Sequence, residues 1–143
     1  MYTDVAILTP VVFVAGLVRG TTGFSVEALR PADALQAGQT GILIAPPDPA
    51  ATRFNVGIRT FDAGASLSVT IRNGEGQLIR TFTKVYAPNL FEQQAGSVFL
   101  GAAPGASDSV AITVTAGSAI VYGAATDNKT QDPAIQIARA ARP

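Results

Sequence analysis

Apolar residues recur at every second position in several segments of this 143-residue chain. In residues 66–72, Leu, Val and Ile alternate with Ser, Thr and Arg, and residues 54–60 and 110–115 repeat the pattern. Because neighbouring side chains of a strand point to opposite faces, a period of two predicts strands with one buried face. Helical patterns are scarce, and we expect at most one short helix, near residues 88–94.

Turn residues separate these segments. The clearest reversal is Asn73-Gly74-Glu75-Gly76, since Asn and Gly adopt positive φ at low cost. Short strands joined by turns predict an all-β fold, a single antiparallel β-sandwich of about seven to ten strands. We expect one domain over residues 1–143, with N-terminal strands and loops in 1–37, the sandwich body in 38–137 and a tail in 138–143.

The chain has ten basic and ten acidic residues, and it contains neither cysteine nor histidine. A neutral chain lacks the basic surface that nucleic-acid binding needs, so we expect no nucleic-acid partner. The absence of cysteine excludes disulfides and thiol chemistry. The absence of histidine removes the commonest general base and the commonest zinc ligand.

The segment Val5–Val18 is apolar except for Thr9. It is shorter than the about 20 residues of a membrane helix, and Pro10 and Gly16 interrupt it, so we expect no membrane span. The residues before it include Asp4 and no basic side chain, unlike the start of a signal peptide. Its β-branched residues favour one or two strands in the core of its own chain.

A second interpretation of this segment is a strand that adds to the open sheet edge of another molecule. The chain would then assemble as a homo-oligomer, and its apolar content and zero net charge would tolerate the association. The residues considered for this interface are Val11, Val12, Phe13 and Val14.

Basic residues fall on neighbouring predicted strands at Arg59, Arg72, Arg80 and Lys84. If these side chains share a face, they form an interface for an anionic partner, to which the three arginines would belong. The alternative is protection of sheet edges, because charges on outer strands discourage pairing between sheets.

The segment Ile120–Ile137 reads as strand, polar turn and strand, and we call Asp127–Pro133 the closing turn. Its oxygen-bearing side chains are candidate ligands for calcium, which takes about six to eight oxygens. They belong to Asp127, Asn128, Thr130 and Asp132. Because the turn supplies two carboxylates and no bidentate glutamate, we favour a structural turn without a metal. In that interpretation Asp127 and Thr130 cap main-chain amides and Pro133 opens the next strand.

Three stretches, residues 38–58, 69–82 and 117–134, resemble a family of Ig-like β-sandwich modules found in exported bacterial proteins, often at their carboxyl end. The most specific is the closing motif Tyr-x4-Asp-Asn-x-Thr-x-Asp-Pro, which runs here from Tyr122 to Pro133. The resemblance implies a non-catalytic extracellular or cell-surface module with no active site to carry over.

The glutamates and lysines of the chain do not form a recognisable catalytic arrangement in the sequence. Glu75 lies in a predicted hairpin tip, and nothing in the sequence brings it near Glu27 or Glu92, so a glycosidase-like carboxylate pair is not expected. The two lysines, Lys84 and Lys129, have no serine in a recognisable nucleophile motif. We therefore predict no catalytic residues and no cofactor.

Aromatic side chains provide a further candidate site, a platform for stacking on sugar rings. Its members would be Phe82, Tyr86, Phe91, Phe99 and Tyr122. For Tyr122 we favour a core position, with its hydroxyl bonded to the backbone as in a tyrosine corner.

These observations favour a non-catalytic structural or interaction module that serves attachment, spacing or partner contact. The first alternative is a self-assembling subunit of a surface layer, filament or virion surface that uses the N-terminal strand. The second is a carbohydrate-binding domain.

Overall fold

The computed structural model describes residues 28–140, and all seven of the strands found there pair antiparallel within one sheet. The strands are β1 Leu35–Gln36, β2 Thr40–Ile44, β3 Thr52–Arg72, β4 Leu78–Tyr86, β5 Phe91–Ala95, β6 Ser109–Asp127 and β7 Pro133–Ile137. A 3-10 turn, Pro31–Asp33, precedes β1, and the helix α1 is Gly96–Leu100. The all-β antiparallel class is confirmed, whereas the Ig-like sandwich arrangement stays a prediction. The expected strands within Val5–Val18 lie outside the described residues.

The long strands β3 and β6 pair with each other and form the centre of the sheet. Each of them has different outer neighbours along its two halves. The amino-terminal half of β3 pairs with β5 and its carboxyl-terminal half with β4. Likewise, β2 borders the first half of β6 and β7 borders the second half, with β1 at the middle. The sheet therefore consists of two four-stranded halves that share β3 and β6, with the two-residue strand β1 between them.

Between the two halves, β3 and β6 lose their regular register. The shifts fall between Thr60 and Ala65 and between Ser66 and Leu67. Gly64 has φ +66° and Gly117 has φ +75°, and a Cβ on Gly117 would overlap the carbonyl oxygen of Gly64. Such bulges bend a strand and change which side chains face inward. β6 continues through the bulge at residues 116–118 without a turn.

One core receives side chains from both halves of the sheet. In β3 the buried positions change from even numbers (Phe54, Val56, Ile58) to odd numbers (Leu67, Val69, Ile71) across the irregular segment. All six belong to the same buried cluster. The predicted period-two pattern is thus confirmed in each half. The bulge between the halves shifts the inward positions from even to odd numbers, so that both sets of side chains face the same core.

Thr60 ties the connection between β4 and β5 to this bend. Its side chain is fully buried, and its hydroxyl donates to the carbonyl oxygen of Ala87 at 2.6 Å. The same hydroxyl accepts the N–H of Leu90 at 2.9 Å, and the Thr60 N–H donates to the Leu90 carbonyl. A single threonine therefore binds three main-chain groups of the connection and holds it against the bend.

The short helix expected near residues 88–94 is wrong in position. Residues Phe91–Ala95 form β5 and pair with residues 55–59, while the helix follows at Gly96–Leu100. Pairing with β3 outweighs the weak local helix signals, as tertiary context commonly does. Asn89, just before β5, adopts φ +52° in the connection.

Replacing Gly117 by alanine tests the close contact at the bend. We expect Gly117→Ala to lower the free energy of unfolding by about 3 kcal/mol, from left-handed backbone strain plus steric overlap with Gly64. The control is Gly76→Ala, because Gly76 has φ +83° with open space around it. That variant should lose only about 1 kcal/mol. Equal losses in urea denaturation would contradict the steric contact.

Candidate functional site

The closing turn is held by hydrogen bonds from its own main chain. One carboxylate oxygen of Asp127 accepts the N–H groups of Lys129 and Thr130, both at 2.8 Å. The Thr130 hydroxyl accepts the N–H of Asp132 at 3.3 Å, and Pro133 begins β7. These bonds lower the pKa of Asp127 below its ordinary value, the Thr130 amide contributing most. The structure thus places the turn residues in structural roles.

This turn is also joined to the loop between β2 and β3. The N–H of Asn128 donates to the Ala51 carbonyl at 2.8 Å, and the Arg53 guanidinium donates to Gln131 Oε1 at 2.8 Å. Within residues 28–140 there is no group of three or more acidic, histidine or cysteine side chains that could hold a metal ion. The Asp127 oxygen considered for calcium already accepts two amide hydrogens.

Tyr122 lies in a second buried cluster, on the face of the sheet opposite the main core. Its ring covers Gly57 so closely that no Cβ would fit there. The hydroxyl donates to Gln93 Oε1 at 2.5 Å, so the expected bond to the backbone is wrong. Burial raises the pKa of Tyr122, which keeps the phenol protonated.

The aromatic side chains considered for sugar binding do not form a shared exposed platform. Phe99 and Tyr122 are buried, Phe82 and Tyr86 are half-buried, and Phe91 is 36% exposed. Phe82 and Phe99 meet edge to face with ring centroids 6.4 Å apart. Phe82 and Phe99 therefore pack against each other. The period-two alternation of the sequence did not predict this contact.

The four basic residues do not share one face. Arg59 lies beside Phe61, with its guanidinium 5.7 Å from the ring centroid, on the face of β3 opposite the buried Ile58. Arg72 donates to the Gly76 carbonyl at 3.2 Å within the hairpin. Arg80 and Lys84 lie on the inward face of β4, whereas Arg59 and Arg72 lie on the outward face of β3, so the expectation of one shared face is corrected.

Arg80 and Lys84 lie on the half-buried inward face of β4, above aromatic rings. The Arg80 guanidinium is 5.2 Å from the Phe82 ring centroid. The Lys84 ammonium is 4.7 Å from the Phe99 ring centroid and 5.8 Å from that of Phe82. Loss of hydration lowers the pKa of Lys84, and the charge of Glu92 partly opposes that shift. Within residues 28–140, neither cation forms an ion pair with a carboxylate.

The outer edge of β4, which we call the β4 edge, is open within the described part of the chain. β4 pairs with β3 on one side and with no described strand on the other. Its outward side chains include Ile79 at 55% and Val85 at 80% exposure. An edge nine residues long leaves a row of main-chain groups available for pairing.

The edge of β2 is covered instead. The side-chain amide of Gln136 in β7 forms two hydrogen bonds with Ile44, donating to its carbonyl and accepting its N–H, each at 2.7 Å. This amide replaces one unit of a neighbouring strand. Further along β2, a Cβ on Gly41 would lie 2.8 Å from the Ala138 carbonyl carbon, so the chain after β7 packs on the buried face of β2. No sequence pattern signals the bond between Gln136 and Ile44.

The remaining polar candidates are separated. Glu75 lies exposed at the β3–β4 hairpin tip, where its N–H donates to Asn73 Oδ1. Glu92 lies in β5 and accepts a hydrogen bond from Gln94 at 2.6 Å. Glu27 lies outside the described residues, as do the four considered for an N-terminal interface, namely Val11, Val12, Phe13 and Val14.

A cleft of about 330 Å³ lies between the start of β3, the start of α1 and the closing turn. Arg53 is the charged residue in its lining, and its guanidinium is already bonded to Gln131. Within residues 28–140 this cleft is a further place where a partner could bind.

Comparison with known proteins gives information on the fold. No protein-family model and no curated protein matched the chain. Among solved structures, it is similar to the crystal structure of Thermotoga maritima 1070, with 10% sequence identity and a TM-score of 0.51. The match covers 76% of this chain and 97% of that one. At such low identity the likeness concerns the fold alone. Among residues 28–140, no helix has the length and apolar character needed to cross a membrane.

Asp127→Asn tests the capping bonds through pH. A carboxylate with a lowered folded pKa stabilises the fold above its unfolded pKa of about 3.9, and that stabilisation is lost as the pH falls through the folded value. The variant keeps an oxygen acceptor without the charge. We therefore expect urea midpoints that fall less steeply than in the wild type below about pH 4. Asp132→Asn, whose carboxylate caps no amide in the turn, should retain the wild-type slope.

Gln136→Met tests the cover of β2. Methionine keeps the length of the side chain and removes both hydrogen bonds to Ile44. Hydrogen exchange at the Ile44 amide should become about tenfold faster, the equivalent of one lost hydrogen bond. The Val69 amide, in the middle of β3, serves as the internal control. Unchanged exchange at Ile44 would show that the amide does not protect this edge.

Proposed function

We propose that this chain is a non-catalytic structural and interaction module of an exported bacterial protein, located outside the cell or on its surface. It contacts a partner protein by strand addition along the β4 edge. The observation that carries the proposal is the contrast between the two outer edges, since β2 is covered by Gln136 and β4 has no described neighbour. An open edge provides affinity through main-chain hydrogen bonds, and the side chains next to it provide specificity.

The placement of the polar side chains supports a binding role over a catalytic one. Glu75 and Glu92 lie on separate elements, the hairpin tip and β5, and Tyr122 is buried with its hydroxyl bonded to Gln93. The carboxylate of Asp127 is engaged by the turn. The resemblance of the closing motif to modules of exported proteins supports the same role and the extracellular location.

Self-assembly is a second candidate function, favoured by the same open edge. In this case the occupant is the apolar segment around Val11–Val14 of another copy. Light scattering of the full chain separates the two candidates. A defined oligomer that dissociates in both Val12→Lys and Val85→Lys variants would favour self-assembly, whereas a monomer in all three forms would favour a different partner protein.

Peptide selection followed by hydrogen exchange tests the proposed function. Peptides selected from a random library on the full chain should slow exchange at the amides of residues 78–86. The double variant Ile79→Lys/Val85→Lys removes the outward apolar contacts of β4, and it should weaken binding by about tenfold. The matched control is Ile42→Lys/Ile44→Lys, because both residues are exposed on the covered strand β2.

The control variant should bind like the wild type. Protection that maps to the cleft beside Arg53, or peptides that bind both double variants equally, would contradict strand addition at β4.

A further inference from the structure

We infer that the β4 edge selects an extended acidic segment, one with two carboxylates four residues apart and an apolar residue midway between them. This inference rests on the proposed function and names the chemistry of its partner. It follows from the placement of Arg80, Phe82 and Lys84 at alternate positions on the inward face of the edge strand.

The spacing of the two cations fits a strand. Arg80 and Lys84 are separated by four residues, which in a strand is roughly 13 Å. A strand added to β4 would place its own side chains opposite them, with Cβ atoms about 5 Å apart. Carboxylates at two positions four residues apart would then face both cations, and the residue between them would face Phe82.

The environment of the cations favours a partner with negative charge. Both lie on a half-buried face above aromatic rings, and within residues 28–140 neither forms an ion pair, although the charge of Glu92 acts on Lys84. Loss of hydration already disfavours the charged form of Lys84. Carboxylates from a partner would compensate for that lost hydration while the cations keep their contacts with the rings.

The same charges exclude other occupants. If two copies paired antiparallel through β4 around Phe82, Arg80 of one copy would face Lys84 of the other, and like charges directly opposite destabilise such a pair. An apolar strand would remove hydration from both cations, and only Lys84 has the charge of a described carboxylate, that of Glu92, to offset the loss. The arrangement that protects the edge from unspecific pairing therefore selects for an acidic partner.

The outward side chains of β4 determine which residues an added strand should carry on its other face. Thr81 and Thr83 lie between Ile79 and Val85, and all four are exposed. Residues of an added strand that face this side should be β-branched, as favoured in cross-strand pairs. The peptide Val-Glu-Thr-Val-Thr-Glu-Val fulfils both requirements, and its symmetry makes it suitable for either strand direction.

Titration calorimetry of the full chain with this peptide and three relatives tests the inference. The relatives carry Gln or Lys in place of both Glu residues, or the same residues with the two Glu adjacent. We expect the Glu peptide to bind about tenfold tighter than each relative, with a preference that declines as salt rises. The variant Arg80→Gln/Lys84→Gln should bind the Glu and Gln peptides equally. Arg72→Gln/Lys129→Gln, which has the same net charge, should keep the preference.

The outcomes separate the two proposals. If the Gln peptide binds the wild type as tightly as the Glu peptide and protects the amides of residues 78–86, the acidic partner is wrong and strand addition stands. If peptides bind without protecting those amides, the proposed function is wrong as well. If no peptide binds and Arg80→Gln/Lys84→Gln associates with itself, the two cations serve edge protection only, and the inference is overturned.

Discussion

The contact between Gly64 and Gly117 is the constraint on which the rest of the structure depends. Two strands of 21 and 19 residues would form a long ribbon with two exposed faces if they stayed regular. The bulges at this contact bend both strands at the same level and change the parity of their inward residues. One ribbon thereby directs two sets of apolar side chains into one core, and no Cβ can be accommodated where the two backbones meet.

The central pair of strands has two outer sides, one flanked by β2 and β7 and the other by β4 and β5. These two sides differ in how their edges are covered. On one side the Gln136 amide bonds to Ile44 at the edge of β2, and Ala138 packs on the buried face of that strand. On the other, Thr60 holds the β4–β5 connection at the bend, and Phe99 of α1 packs beneath Phe82. Within the described part of the chain, the second side is thus packed at its inner face, while the outer main-chain groups of β4 pair with no strand. The asymmetry locates the candidate site at a sheet edge rather than in a cavity.

The sequence predicted the features that depend on neighbouring residues. Period-two alternation located the buried faces of β3 and β6, and turn chemistry located the hairpin at Asn73 and the capping by Asp127. It could not predict features that depend on distant pairing. The strand at Phe91–Ala95 exists because β3 pairs with it, and the hydroxyl of Tyr122 bonds to Gln93, 29 residues away. The open edge likewise became visible only when the strand order was known.

Charge on an edge strand is commonly regarded as protection alone, yet protection and selection have the same physical origin. A half-buried cation disfavours any neighbour that removes more of its hydration without returning charge. For Arg80 and Lys84, that penalty falls on apolar strands and on other copies of β4, whereas a strand with matching carboxylates avoids it. The aromatic rings beneath the cations hold them in position before a partner arrives, which lowers the entropic cost of forming the contact. An edge built in this way resists aggregation and remains able to bind, because both properties depend on the charge of the incoming strand.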